Sequence, residues 1–135
     1  MKRTDAFFFF WFDFAFIDIF FAHFVSAHTD YDLAKPDERR NKVPGACDEE
    51  RQGFQNALDA GFVDVWRAQN PDAQHCTFWS YKFQAREKNI GWRIDYWCAT
   101  DGLDKQLGKV FIRSKALGSD HVPLGLIAKR SLLTK

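Results

Sequence analysis

Ten of the chain's 15 phenylalanines fall within residues 7–24, with Trp11, Ile17 and Ile19 among them. So dense a run of large apolar side chains must be removed from water, either in a protein core or in a membrane. Lys2 and Arg3 ahead of the run, and Val25-Ser26-Ala27 behind it, imitate a secretory leader with its small-residue cleavage site. Asp13 and Asp18 argue against that reading, because a carboxylate inside a hydrophobic span is costly. The uninterrupted apolar runs are also short for spanning a bilayer. The favoured expectation is a buried strand, built from Phe14, Phe16 and residues 20–24 and covered on both faces, with a membrane anchor as the weaker alternative.

The rest of the chain has an ordinary composition. At 135 residues it matches a single domain with one modest core. Its 19 basic and 18 acidic residues leave a net charge of +1, so any surface suited to nucleic acid has to arise from clustering rather than from bulk charge. Cys47, Cys76 and Cys98 are odd in number and widely spaced, which points away from a disulfide framework and towards a cytoplasmic protein.

A polar loop is expected over residues 30–47, where Pro36, Pro44 and Gly45 interrupt a run of charges. Asp48 is the expected N-cap of a helix reaching Ala60, with Glu49 and Glu50 in its first turn and Phe54, Ala57 and Leu58 on one face. Gly61 stops it. Residues 62–68 are either a short helix or an extended piece, and residues 77–91 suggest a surface loop. Strands are expected over residues 93–100, 110–114 and 122–128, with turns at Gly102, Gly108 and Gly118. Three strands and one or two helices give an α/β or α+β fold.

Three blocks of residues carry a resemblance, spanning about residues 27–126. The first is Ala27-His28-Thr29-Asp30-Tyr31-Asp32-Leu33, followed by Glu49-Glu50-Arg51-Gln52-Gly53-Phe54. The second runs from Thr77-Phe78-Trp79-Ser80-Tyr81 through Ala85-Arg86-Glu87-Lys88-Asn89 to Gly91-Trp92-Arg93-Ile94-Asp95-Tyr96. The third is Ile112-Arg113-Ser114-Lys115-Ala116-Leu117-Gly118-Ser119-Asp120-His121-Val122-Pro123. In order and spacing they resemble the C-terminal half of the exonuclease III and AP endonuclease family, within the endonuclease/exonuclease/phosphatase superfamily. That resemblance implies half of a four-layer α/β sandwich with a mixed or antiparallel sheet and flanking helices. It assigns residues 22–130 to a partial domain, leaving the phenylalanine-rich residues 1–21 unmatched and residues 131–135 as a tail.

The resemblance also implies a chemistry: hydrolysis of DNA phosphodiesters at abasic sites or 3′ ends, with magnesium or manganese. Such a reaction needs donors for a phosphate, a cation and a base for water. His121 matches a histidine that contacts the scissile phosphate, and Asp95 matches a carboxylate that fixes its ring. Asp120 matches an oxygen ligand of the metal. Phe78 and Trp92, with Trp79 as a further candidate, match aromatic residues around the sugar of a flipped-out abasic nucleotide. For all three, core packing is the alternative. Arg86, Lys88 and Lys82 match contacts to the phosphate backbone, the alternative being a solvated loop face.

Two departures limit that implication. The family's Gly-Asp-Phe-Asn segment, which supplies a water-activating aspartate and an orienting asparagine, is replaced here by Ala22-His23-Phe24-Val25. His23 stands where the aspartate would be and can act as a base near neutral pH, whereas Val25 brings no polar group. In addition, no residue before position 22 matches the family's metal-binding glutamate. The expectation is therefore a chain impaired on its own. Alternatives are a DNA-binding or interaction module without chemistry, and one half of a split enzyme completed by a separately encoded N-terminal half or by a second copy. The expected partner is double-stranded DNA with abasic sites.

Overall fold

The computed structural model describes residues 19–128, so Phe14, Phe16 and residues 131–135 lie outside the described residues. The elements are β1 (Ile19–His23), α1 (Pro36–Arg39), α2 (Asp48–Asp59), β2 (Phe62–Asp64), α3 (Val65–Gln69), β3 (Asp95–Thr100), β4 (Val110–Ile112) and β5 (Leu124–Leu126). β3 lies between β1 and β2, antiparallel to both, and β4 pairs antiparallel with β5 in a second, two-stranded sheet. This is the expected α/β fold, with shorter strands at 110–112 and 124–126. The ambiguous stretch 62–68 resolves into a strand followed directly by a helix. The switch is made at Asp64, whose side chain accepts from Arg67 N–H at 3.1 Å and caps α3.

The period of two along β3 sorts its side chains between two layers. Tyr96 and Cys98 are fully buried against Phe54 of α2, with Phe20, Ala22, Phe24 and Leu58 around them. The opposite face carries Ala99, packed with Val65, Trp66, Leu107 and Val110 and flanked by Trp97, Leu124 and Leu126. Helix α2 therefore covers one face and the β4–β5 sheet covers part of the other.

β1 departs from the expectation of burial on both faces. Phe20 and Ala22 turn towards α2, but Phe21 is 49% exposed and His23 is exposed. Facing residues of an antiparallel pair share a side. Phe21 therefore lies beside Trp97 and His23 beside Asp95, on the face that β4 and β5 only partly cover.

α2 starts one residue earlier in effect than its acidic run suggests, because Cys47 rather than Asp48 is the N-cap. Glu50 reaches back to accept from Cys47 N–H at 3.1 Å and Gly45 N–H at 2.7 Å. Asp48 instead accepts from the side chains of Arg40 and Asn41, at 2.9 and 2.8 Å. At the other end Gly61 takes a φ of +106°, where a side chain would be strained.

A charge network fills the space beneath β3. Arg93, 1% exposed, donates to Asp32 at 2.7 Å and to Asp64 at 2.6 Å, while Arg67 also pairs with Asp32. The Arg93 guanidinium stacks on Tyr96 and Trp66, 4.6 and 5.0 Å from the ring centroids. Burial works against its charge, but Asp64 and Asp32 more than offset this and hold its pKa above the ordinary arginine value. For Asp32 burial pushes upward, yet Arg93 and Arg67, with a hydrogen bond from Thr29, hold the carboxyl below its ordinary value. This network ties the 30–32 turn, α3 and β3 into one unit.

Candidate active site

Residues 77–79 form the local framework of the site. Their backbone pairs on one side with Trp92, through Thr77 N–H and Phe78 N–H to Trp92 O at 2.8 and 2.9 Å. On the other side Trp79 N–H donates to Asp120 O and Val122 N–H to Thr77 O, each at 2.9 Å. Phe78 thereby forms bridges to both Trp92 and His121, and its ring centroid lies 5.0 Å from that of His121. Thus the predicted aromatic pair and the predicted histidine are neighbours because one extended segment sits between them.

Asp95 opens β3 and is buried. The Thr77 hydroxyl oxygen accepts from Ile94 N–H at 3.1 Å and from Asp95 N–H at 3.3 Å, which fixes the strand's start against the same framework. Asp95 Oδ2 lies 2.8 Å from His121 Nδ1, and Oδ1 lies 2.9 Å from His23 Nδ1. A carboxylate accepts in both contacts, with each imidazole donating its Nδ1–H. The structure therefore brings together three of the residues singled out in the sequence, with one carboxylate shared by two histidines. His23 and His121 meet edge to face, 5.0 Å between ring centroids.

The turn before His121 is held from two directions. Gly118 has a φ of +103° and faces open space, so its need is conformational rather than steric. Ser119 Oγ accepts from His121 N–H at 3.1 Å and lies 3.4 Å from Asp120 Oδ1. Arg86 then donates to the carbonyls of Ser119 and Ser114, each at 3.0 Å, and to that of Ala116. Its guanidinium stacks 5.1 Å over Trp79. The Arg86 donors named here are turned inward onto the loop rather than outward, so this side chain clamps the turn that presents His121. No sequence signal distinguishes such a clamp from a phosphate contact.

The remaining candidates divide similarly. Trp79 is buried with Ala85 and Val122 and donates to Asn89 at 3.1 Å. Trp92 packs with Ala27, Leu33, Ala46 and Ile94 and is partly exposed. Lys88 donates to Phe83 O at 3.0 Å, and Lys82 lies on the exposed turn over Lys82–Gln84. Val25 is 68% exposed. Two surface depressions, of about 340 and 350 Å³, both border His28 and Thr29, and neither is lined by Asp95 or His121.

As to a metal, Asp120 has Ser119 Oγ as its side-chain partner, while the group of three potential ligands among the described residues is His23, Asp95 and His121. Magnesium demands near-octahedral oxygen coordination. Two imidazoles do not suit that ion, whereas Asp120 offers it one carboxylate, with water and phosphate left to complete the shell.

No family model matches the chain. Individual proteins do. Over 102 residues the chain is 43% identical to an exodeoxyribonuclease of Bacillus subtilis, matching 75% of this chain and 40% of that protein. It is 45% identical over 101 residues to the DNA repair nuclease APEX1 of Danio rerio, covering 74% of this chain and 32% of that one. Among solved structures, an AP endonuclease from Archaeoglobus fulgidus superposes with a TM-score of 0.73 at 28% identity, over 82% of this chain and 44% of the other. A 3′ phosphatase NExo from Neisseria bound to a product DNA hairpin gives 0.75 at 26% identity, over 82% and 44%. The chain spans 40% and 32% of the length of the two sequence relatives. These matches establish that the chain belongs to the exonuclease III and AP endonuclease family, as a fragment of the length its relatives have.

Proposed function

We propose that the chain carries the phosphate-gripping half of a DNA-repair phosphodiesterase site, acting on abasic sites or 3′ ends, and that it is impaired as a catalyst on its own. The observation that carries this reading is His121 held by Asp95 at 2.8 Å beside Phe78. With Nδ1 committed to Asp95, the remaining ring nitrogen, Nε2, is the atom free to meet a non-bridging phosphate oxygen. Phe78 lies beside it, with Trp92 on the far side of Phe78, as apolar walls for a sugar without a base. Lys82 and Lys88 supply the exposed positive charge for the DNA backbone, and Arg86 holds the turn in place.

Water activation is the weak point. His23 shares Asp95 with His121 rather than standing apart from it, and Val25 offers no hydrogen bond. A divalent cation is the family's usual means of offsetting charge on the leaving oxygen. Among the described residues Asp120 is the carboxylate that would hold such an ion, with water and the phosphate completing its shell.

A duplex containing a tetrahydrofuran abasic analogue, incubated with the full chain and either Mg²⁺ or Mn²⁺, tests the reading. Binding that weakens steeply with salt and drops on Lys82→Ala or Lys88→Ala is the expected result, with incision slower than that of a full-length relative by several orders of magnitude. Efficient incision abolished by His121→Ala would refute the claim of impairment. Absence of any binding at low salt would refute the claim of a DNA face. The second reading, a binding module without chemistry, is favoured by the loss of the Asp and Asn donors at His23 and Val25. Binding without incision, even after an N-terminal half of a relative is added, would select it.

A further inference from the structure

We infer that His23, Asp95 and His121 form a binding site for a borderline divalent transition cation of the zinc class, distinct in chemistry from an all-oxygen magnesium site. One ligand atom from each residue lies within 4.8 Å of the other two, and the three residues come from separate parts of the chain. The convergence is built by the fold. β1–β3 register sets His23 opposite Asp95, and the 77–79 framework sets His121 on the other oxygen.

The donor set decides the class of ion. Two imidazole nitrogens and one carboxylate oxygen suit zinc or cobalt far better than magnesium, calcium or manganese. Zinc sites with three protein ligands keep a fourth position for water. Here the side chains of the two histidines are 45% and 32% exposed while that of Asp95 is 8% exposed, so the cluster is closed on the protein side and open towards solvent. Ligand atoms on one tetrahedral zinc lie about 3.4 Å apart. The two N···O separations, 2.9 and 2.8 Å, are shorter than that value and the ligand atoms all lie within 4.8 Å of one another, so binding requires only small rotations of the two partly exposed rings.

The protons balance simply. Each neutral imidazole moves its hydrogen from Nδ1 to Nε2, Nδ1 becomes the ligand, and the cation occupies the place of the two N–H···O contacts to Asp95. The carboxylate offsets half of the cation's charge. The site thus depends on the histidine at position 23, and it stands whether or not the chain acts on DNA.

Cobalt(II) is the probe, because its visible absorption reports ligand number and type. Titrating Co²⁺ into the full chain should develop a d–d band that saturates at one equivalent, displaced by Zn²⁺. His23→Asn and Asp95→Asn should each weaken binding at least ten-fold, whereas His75→Asn should leave it unchanged. Imidazole proton resonances of the unaltered chain give a readout that needs no variant: Co²⁺ should shift those of His23 and His121 before those of His28 and His75. No band at ten equivalents would overturn the proposal, as would an unchanged titration in His23→Asn or prior shifts at His28 or His75. An intense near-ultraviolet thiolate band would assign the ion to cysteine and overturn it equally.

Discussion

Arg93 links two buried carboxylates through separate nitrogens, so its removal leaves Asp32 and Asp64 without the charge that offsets their burial. Arg93→Ala should therefore cost about 3 to 5 kcal/mol, read as a drop in the urea midpoint. Asp32 carries the pH dependence of the same network. Its carboxyl is held below the ordinary value of 3.8, so the folded state binds its proton less readily than the unfolded chain. Its stabilising contribution is complete above about pH 4 and is lost as pH falls through its lower folded pKa. Unfolding followed by circular dichroism between pH 5 and 2 should show this loss, and Asp32→Asn should flatten that part of the profile while lowering stability at pH 7. Thiols give a third check at this scale. Burial pushes Cys98 up to about 12 and Cys76 up to about 11, so both should resist iodoacetamide at pH 8 until the chain unfolds.

At the level of elements, α2 is held to the sheet chiefly by Phe54, which is 1% exposed and lies 4.4 Å from the Tyr96 ring centroid. Phe54→Ala should destabilise the chain by about 3 to 5 kcal/mol, seen as a lower thermal midpoint. The 42–46 segment is more delicate. Gly45 has a φ of +84°, and a Cβ there would lie 2.6 Å from both the Trp92 ring and Val25 O. Gly45→Ala should thus cost at least about 1 kcal/mol and displace Trp92, which its indole fluorescence would report. Helix α2 was legible in the sequence because acid at its start, spaced apolar residues and a terminal glycine all agree. β3 was equally legible as far as its end at Thr100, although it starts at Asp95, two residues later than the expected strand. Position 62–68 was not, since only three residues are extended there before a side-chain cap starts a helix. Asp95 and His121 could be named from their motifs, but nothing local announces that His23 faces the same carboxylate. That contact depends on register between strands 72 residues apart.

For the molecule as a whole, the sequence showed which family segments are present, and their relatives' greater length agrees with that reading. It did not show which surfaces the present layers leave open. Phe21 and Val25 remain 49% and 68% exposed on the β1 side, next to the candidate site. Exposed apolar residues so placed favour self-association or a covering partner. The elution volume of the full chain should accordingly decrease as concentration rises, and Phe21→Ser together with Val25→Ser should reduce that shift; a concentration-independent monomer would count against it.

His23 is the final residue of β1, and β1 pairs with β3 alone among the described strands. A one-residue slip would turn its imidazole to the opposite face and present Phe24 or Ala22 to Asp95 instead. The His23–Asp95 contact therefore acts as an index pin for the sheet: strand alignment and the state of the site form a single equilibrium. Anything that grips these two side chains only in the aligned form should slow amide exchange along the whole of β1, well beyond the atoms it touches.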